Sequence, residues 1–336
     1  MPNGRPGAGP PRELLASEGF AGPAVALPDN PSEEMTEPKP QGLPVEPKRK
    51  RLKSNAARRC CIPAELLCEE GIVQLNEPPD ADATSLIARL LDGAYGKPFV
   101  IDDGVVRRLY FDLTYVQSEM TIDRPYTLNF AYTRKMMGFL LFLPRPKHVV
   151  IVGLGGGSLT KFCHRHLPSA RITTVEIDPE VIAFGDLFDL PSQDERYALV
   201  QANAADYFAT TKDRADVVLL DGCDKRGIAP ELCNAIFYRN VRACLKEGGL
   251  LVMNLVGSAE TCGASLKVVR DVFAGDLIVQ KVVDGGTKIA FAFNDPDYIP
   301  DWPDIQRQTR RLAVRHELDL AELAHKMRRS IVRAAR

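Results

Sequence analysis

The sequence predicts an α/β fold in which a mainly parallel sheet, with helices on both sides, follows a small antiparallel β layer. The first observation is that apolar, strand-like runs alternate with helix-like segments over about residues 149–293. The second is that residues 70–118 contain only short strand-like runs separated by turn-forming residues. Regular alternation is typical of parallel sheets covered on both faces, whereas short runs joined by tight turns favour antiparallel pairing.

Composition and charge exclude several classes of protein. The 336 residues include 43 Lys and Arg against 44 Asp and Glu, which gives a net charge of −1 and does not favour nucleic-acid binding by the protein as a whole. No stretch approaches the roughly 18 apolar residues of a membrane span, and the first residues lack the apolar run of a secretory signal. We therefore expect a cytoplasmic protein that has neither a membrane nor nucleic acid as its partner.

The eight cysteines are expected to be reduced thiols. They do not form the two C-x-x-C pairs of a zinc site, and His164 and His166 are not spaced to complete one. In an intracellular setting disulfides are rare. We therefore predict neither a metal site nor a disulfide.

Residues 1–58 are predicted to be a disordered arm. This segment holds 11 of the 25 prolines and few large apolar side chains, so it cannot bury enough surface to offset its ordering entropy. It ends in a basic cluster at 47–53. We interpret the cluster as a solvated charged linker, with nucleic-acid contact or nuclear targeting as the less favoured alternatives.

Residues 59–124 are predicted to be the small β domain. Its strand-like runs are 71–75, 97–101 and 107–112, and 115–117 adds a further extended piece. The Asp-Gly step at 103–104 lies between two of these runs and predicts a hairpin.

Residues 125–294 are predicted to form the main α/β domain. Its strands are expected at 149–152, 171–177, 197–200, 216–220, 249–255, 277–283 and 288–293. Its helices are expected at 125–143, 159–167, 179–187, 232–245 and 266–273. The tail at 295–336 carries apolar residues at helical spacing and is locally basic, so it predicts one amphipathic helix that packs on its own domain or on a partner subunit.

The strongest local signal is a glycine-rich turn between an apolar strand and a helix. Gly153, Gly155 and Gly156 follow the strand at 149–152, and glycines there let the backbone approach a ligand closely. Glu176 ends the next strand about 20 residues later, where a ribose would bind, and Asn203 after the third strand can accept a hydrogen bond from an adenine amino group. We interpret this edge as a nucleotide site for an adenosyl group or a dinucleotide, although each residue could also be a simple turn former.

Two aspartates follow the fourth predicted strand. Asp221 and Asp224 lie three residues apart at the same edge of the sheet, and such a pair suits a cationic ligand. A primary amine is protonated at neutral pH, and a carboxylate can hold the ammonium and accept its proton as the nitrogen attacks. The alternative is that both aspartates are helix caps or turn residues.

At these residues the chain resembles the polyamine aminopropyltransferase (spermidine synthase) family, including its bacterial spermidine synthase-like branch. The resemblance covers about residues 95–293. The motifs that carry it are segments 104–106, 116–117, 132–137, 153–158, 175–178, 221–231, 237–238 and 245–249. It implies a small β domain on a Rossmann-like, S-adenosylmethionine-methyltransferase-like domain, a homodimer, and decarboxylated S-adenosylmethionine as the co-substrate.

The resemblance also implies roles for single residues. By position, Glu176 would hold the ribose, Asn203 the adenine amino group, and Gln117 part of the nucleoside pocket. Asp221 would accept the proton of the attacking amine, and Asp224 would orient the polyamine.

The chain departs from the family pattern at four places. Gly156 stands where typical members carry an Asp that holds the amine of the donor, and Ala131 and Tyr132 replace a Tyr-Gln pair. Asn203 replaces an Asp at the adenine contact, and the late loop is shortened at 284–286. These departures keep open two alternatives to aminopropyl transfer to a putrescine-like amine. One is a methyltransferase that uses ordinary S-adenosylmethionine, and the other is a non-catalytic relative that binds polyamines or nucleosides.

Overall fold

A computed structural model of the chain describes residues 59–224, 227–282 and 287–332. The predicted arm at 1–58 and the shortened loop at 284–286 lie outside these ranges. The described chain contains an N-terminal antiparallel sheet and a larger, mostly parallel sheet with helices on both faces. The fold class predicted from the sequence is therefore confirmed.

The N-terminal sheet is an antiparallel meander of five strands. Its strands pair in chain order: β1 (Cys60–Pro63), β2 (Ile72–Leu75), β3 (Phe99–Asp102), β4 (Val106–Tyr110) and β5 (Val116–Thr121). The predicted hairpin joins β3 to β4. Asp103 Oδ1 accepts hydrogen bonds from the N–H groups of Val105 and Val106 at 2.9 and 2.6 Å, and Gly104 has φ +84°.

Helix α1 (Ala83–Leu91) connects β2 to β3 and was not predicted from the sequence. It begins after Asp82, whose side chain accepts a hydrogen bond from the N–H of Thr84. Leu86 and Leu90 are its buried residues. Their spacing of four residues buries one helical stripe against the meander.

The larger sheet has eight strands, five of them parallel. They are β6 (His148–Val152), β7 (Arg171–Glu176), β8 (Tyr197–Gln201), β9 (Ala215–Leu220), β12 (Leu245–Leu255), β13 (Leu277–Lys281), β14 (Lys288–Phe293) and β15 (Ile331–Val332). Their order is β15-β13-β14-β12-β9-β6-β7-β8, and the pairs from β12 to β8 are parallel. Between β9 and β12, β10 (Cys223–Asp224) and β11 (Gly227–Ile228) form a separate two-stranded ribbon.

Helix α2 (Ala131–Met136) precedes the larger sheet. A helix follows each of the five parallel strands: α3 (Ser158–His166), α4 (Pro179–Ala183), α5 (Ala204–Thr210), α6 (Ala235–Cys244) and α7 (Ala259–Phe273). Single turns of 3-10 helix occupy Ala64–Leu67, Met137–Leu141 and Pro230–Leu232. The predicted helix at 125–143 is shorter than expected, because the chain turns at 124–127 and Phe130 is extended.

The C-terminal tail corrects one prediction. The single helix expected over 295–336 is two helices, α8 (Trp302–His316) and α9 (Leu320–Arg328), followed by strand β15. Glu317 ends α8 in a left-handed conformation with φ +55°, and the Asp319 side chain caps the start of α9 by accepting a hydrogen bond from the N–H of Glu322. The apolar residues keep their helical spacing across this break, so the periodicity of the sequence does not reveal where α8 ends and α9 begins.

Alternate residues of β6 enter two different cores. Val149 and Ile151 pack with α2, α8 and α9 on one face, and Val150 and Val152 pack with α5, α6 and α7 on the other. A strand buried on both faces leaves its carboxyl end as the place where ligands reach an α/β sheet. Within the described ranges, no helix is both long and apolar enough to cross a membrane.

Candidate functional site

A cavity of about 790 Å³ lies at the carboxyl ends of the parallel strands. This volume is in the range of small-molecule sites. Six of the residues predicted as site residues line it: Gln117, Gly153, Gly155, Glu176, Asn203 and Asp221. The structure therefore brings residues from β5 and from four parallel strand ends to one cavity.

The glycine turn joins β6 to α3 at the floor of the cavity. Gly153 has φ +89°, and a side chain there would collide with the backbone carbonyl of Asp221. The turn therefore needs glycine both for its conformation and for its close approach to the end of β9. Gly155 has φ +51° and faces Ser118 of β5.

Gly156 does not join the other two glycines at the cavity wall. It is not among the lining residues, and a Cβ atom there would lie 2.7 Å from Ser118 Oγ and 2.8 Å from Phe188 Cδ1. Phe188 is 1% exposed, so its ring has little room to move away. The structure thus closes this position to a carboxylate side chain.

Glu176 is held at the end of β7 by main-chain groups. Its Oε2 accepts a hydrogen bond from the N–H of Leu154 and its Oε1 from the N–H of Asp178, each at 2.8 Å. Burial raises the pKa of this carboxyl, while these N–H groups act in the opposite direction. The carboxylate is therefore fixed next to the glycine turn with further lone pairs for a ligand hydroxyl.

Asn203 has a structural role as well as a place in the cavity wall. Its Oδ1 caps helix α5 by accepting a hydrogen bond from the N–H of Ala205 at 2.8 Å. Asn203 is thus a helix cap, as the turn-forming alternative predicted, and also a residue of the cavity wall. Only the second lone pair of Oδ1 is left for an adenine amino group.

Asp221 is held by two side chains from distant elements. Its Oδ1 accepts a hydrogen bond from Asn254 Nδ2 at 2.7 Å, and its Oδ2 accepts one from the Tyr132 hydroxyl at 3.2 Å. Burial raises the pKa of Asp221 to about 6, although both hydrogen bonds favour the charged form. A carboxyl group with this pKa is ionised at neutral pH and can still accept a proton readily.

Asp224 lies on the short strand β10, paired with Gly227 of β11. Its side chain lies outside the described part of the structure, as do residues 225–226. The predicted role of Asp224 therefore stays a prediction.

The charges on the described cavity wall are all negative. Glu176, Asp221 and Glu231 contribute carboxyl groups, and the described wall contains no Lys or Arg. Nor do the described ranges hold a group of three or more His, Cys, Asp or Glu side chains that could bind a metal ion. Such a wall attracts a cationic ligand.

Sequence reasoning missed several groups at the site. Asn254, 5% exposed, interrupts the apolar run of β12 near its carboxyl end, and a lone polar residue at that place is a usable signal. Tyr132 begins the 132–137 motif of the family resemblance and is also one of its departures, but it was given no role at the site. Ser118 and Glu231 also line the cavity. Ser118 lies in no pattern that singles it out, and Glu231 ends the 221–231 motif but was given no role.

Comparisons with known proteins show which family and which fold this chain is similar to. A family model described as the spermine/spermidine synthase domain matches residues 129–272. A polyamine aminopropyltransferase from Neisseria meningitidis serogroup A is 31% identical over 222 residues, which cover 66% of this chain and 84% of the relative. One from Chromobacterium violaceum is 29% identical over 232 residues, covering 69% and 89%. The spermidine synthase structure from Thermotoga maritima shares the fold, with a TM-score of 0.54 at 20% identity over 69% of this chain and 80% of that one.

Proposed function

Because the chain belongs to the polyamine aminopropyltransferase family, we propose that it transfers an aminopropyl group from decarboxylated S-adenosylmethionine to a di- or polyamine such as putrescine. The observation that carries this proposal is Asp221, a carboxylate with a raised pKa in a described cavity wall without cationic side chains. We further propose that the chain acts as a homodimer, which sedimentation at several concentrations would test.

The donor end of the cavity, formed by the glycine turn, Glu176 and Asn203, has the groups that an adenosyl ligand requires. Glu176 can accept hydrogen bonds from ribose hydroxyls, and Asn203 lies at the next strand end, where the base would follow. Gln117 lines the cavity from β5 and would contact the nucleoside. These positions support adenosyl binding, and they do not by themselves choose between the decarboxylated and the carboxylated donor.

The amine end of the cavity, formed by Asp221, Tyr132, Asn254 and Glu231, supplies the chemistry. The acceptor arrives as an ammonium ion and is not nucleophilic until it loses a proton. Asp221 takes that proton, and the freed nitrogen lone pair attacks the carbon next to the sulfonium. The carbon–sulfur bond breaks, its electron pair goes to sulfur, and methylthioadenosine leaves as a neutral thioether. The protein contributes by aligning the amine with the donor and by stabilising the charges that change during the reaction.

A second candidate function is methyl transfer from S-adenosylmethionine itself. The observation that favours it is Gly156, since a side chain there would meet Ser118 and the buried ring of Phe188. The family resemblance places an Asp at this position to hold the donor amine. Without it, Glu176 is the charged side chain at the described donor end, and we propose that its carboxylate binds the ribose and not the donor amine.

Two measurements test the proposal. Incubation with decarboxylated S-adenosylmethionine and putrescine should release methylthioadenosine, and Asp221→Asn should suppress the release. Calorimetric titration with both donors should show tighter binding of the decarboxylated one. Preference for S-adenosylmethionine would support methyl transfer instead, and adenosyl or polyamine binding without turnover of any amine would support a non-catalytic relative.

A further inference from the structure

A second cavity, of about 660 Å³, is lined mainly by helices α6 and α7. We call it the α6–α7 cavity, and its volume is in the range of small-molecule sites. None of its described lining residues lines the cavity at the strand ends, and the reaction proposed above uses none of them. Its wall combines short apolar side chains, among them Val268 and Val272, with two arginines and one aspartate. This cavity is therefore a candidate site for a ligand with a charged part.

Arg242 of α6 contributes a guanidinium group whose position is fixed. Its Nε donates a hydrogen bond to Asn294 Oδ1 at 3.1 Å, and its Nη1 donates one to the carbonyl of Val272 at 2.5 Å. The guanidinium carbon also lies 5.8 Å from the centre of the Phe273 ring. Asn294 is fixed in turn, since its Nδ2 donates to the carbonyl of Lys246 at 2.9 Å. Because a guanidinium carries five N–H donors, these two hydrogen bonds leave the Nη2 group of Arg242 for a ligand.

The positive charge of this wall has no counter-ion within the described ranges. Neither Arg242 nor Arg239, which lies nearly one turn earlier on α6, forms an ion pair with a described residue. Asp271 of α7 lines the same cavity and forms no ion pair with the described chain either. Two arginines at one cavity suit a phosphate group, because a planar guanidinium can donate two parallel hydrogen bonds to phosphate oxygens. The wall thus offers an anion site beside a separate hydrogen-bond acceptor.

We propose that the α6–α7 cavity binds a sugar phosphate, with the phosphate on Arg239 and Arg242 and a sugar hydroxyl donating to Asp271. A phosphate monoester carries about −1.5 to −2 charges at pH 7 and three acceptor oxygens, which two guanidinium groups can share. A carboxylate accepts hydrogen bonds and donates none, so Asp271 requires a donor on the same ligand, and a sugar supplies one. The site does not depend on the proposed aminopropyl transfer, because its residues take no part in that reaction.

Calorimetric titration of the full chain with ribose 5-phosphate tests the site, and ribose and inorganic phosphate are the comparison probes. Excess methylthioadenosine is present throughout, so that the cavity at the strand ends does not compete for the probes. Arg239→Gln should raise the Kd for ribose 5-phosphate about five- to tenfold, as expected for loss of a solvent-exposed charge-assisted hydrogen bond. Arg310→Gln, which changes an exposed arginine of α8 outside both cavities, is the matched control and should leave the Kd unchanged.

A second variant tests the acceptor. Asp271→Ala should raise the Kd for ribose 5-phosphate about three- to fivefold without weakening the binding of inorganic phosphate. The proposal is overturned if the wild type does not bind ribose 5-phosphate, or binds it no more tightly than ribose or inorganic phosphate. It is also overturned if Arg239→Gln and Arg310→Gln weaken binding equally, because attraction by the overall surface charge would then explain the result.

Discussion

The donor end and the amine end of the cavity are built in different ways. At the donor end, Glu176 is held by the N–H groups of Leu154 and Asp178, which belong to the same strand-turn-helix framework. At the amine end, Asp221 is held by the side chains of Tyr132 and Asn254, which come from α2 and β12. Main-chain groups are present whatever the side chains are, so the position of Glu176 is set by the fold. The position of Asp221 depends on individual side chains, so the chemistry proposed for it can change between proteins that share this fold.

The largest effect is expected at the amine end, from the removal of the proposed proton acceptor. Asp221→Asn keeps the shape of the side chain and can still accept from Asn254 Nδ2, but it cannot take a proton from an ammonium. We expect kcat to fall about 10²- to 10⁴-fold, the usual contribution of a general base, while the affinity for the donor changes less than twofold. Stopped assays of methylthioadenosine release and calorimetry with the donor measure the two quantities.

Asp80→Asn is the matched control for that change, since Asp80 is exposed in the N-terminal region and lies outside the cavity wall. It should leave both quantities at the wild-type value. A kcat for Asp221→Asn within threefold of the wild type would show that Asp221 does not accept the proton.

The reverse pattern is expected at the donor end. Glu176→Gln replaces one of the two acceptor oxygens with an NH₂ group that cannot accept from a main-chain N–H, and it removes the charge that would bind ribose hydroxyls. We expect the Kd for the donor to rise about tenfold, the loss of one or two hydrogen bonds to a charged group. At saturating donor kcat should stay close to the wild type. If kcat falls with no change in donor affinity, the two ends are not separate in function.

The free energy of unfolding should show that the ionised form of Asp221 destabilises the folded state. The pKa of Asp221 is about 6 in the folded protein, against 3.8 for the unperturbed group. The folded state therefore binds a proton that the unfolded chain has released between these values, and stability falls as the pH rises from about 4 to 6. Above pH 6 the buried charge is present in full. Asp221→Asn should be more stable than the wild type by about 3 kcal/mol at pH 8.

Urea denaturation of both proteins at pH 8 and pH 4 measures this difference. The gain should fall to about 0.5 kcal/mol at pH 4, because Asp221 is then neutral in the folded wild type and only about 60% ionised in the unfolded chain. A gain of equal size at both pH values would mean that packing, and not charge, explains it.

The smallest expected effect tests one of the two side chains that hold Asp221. Tyr132→Phe removes the hydroxyl that donates to Asp221 Oδ2 at 3.2 Å and keeps the ring. Since that hydrogen bond lowers the pKa of Asp221, the pKa should rise further, and the ascending limb of the pH–rate profile should move to higher pH. At pH 7 the rate should fall about threefold and recover at pH 9. A loss of rate that is the same at every pH would indicate a different role for Tyr132.

The difference between the two ends also explains how much of the site could be predicted. Glu176, Gly153 and Asn203 follow strands at fixed spacing, and parallel strand ends meet at one edge of a sheet, so their meeting follows from the pattern alone. Asn254 and Tyr132 approach Asp221 only through tertiary packing, 33 and 89 residues away along the chain. No local pattern fixes such a distance.

The fold shows the same division. Strong apolar strands such as β6 and β9 were predicted within one or two residues, because burial on both faces leaves a continuous apolar run. Helix α1 was missed because its apolar stripe is short, with Leu86 and Leu90 as its buried residues. The break between α8 and α9 was missed because it depends on the left-handed conformation of Glu317 and the cap at Asp319, both of which leave the helical periodicity intact.

The pH dependence of kcat/KM for the amine, measured in the wild type from pH 4.5 to pH 9, tests the central claim most directly. This quantity reports the ionisation of the free enzyme. We predict that it rises tenfold per pH unit below about 6 and then levels, as Asp221 loses its proton, and that Asp221→Asn loses this ascending limb. A profile without an ascending limb near pH 6, or one that Asp221→Asn retains, would contradict the assignment of Asp221 as the proton acceptor.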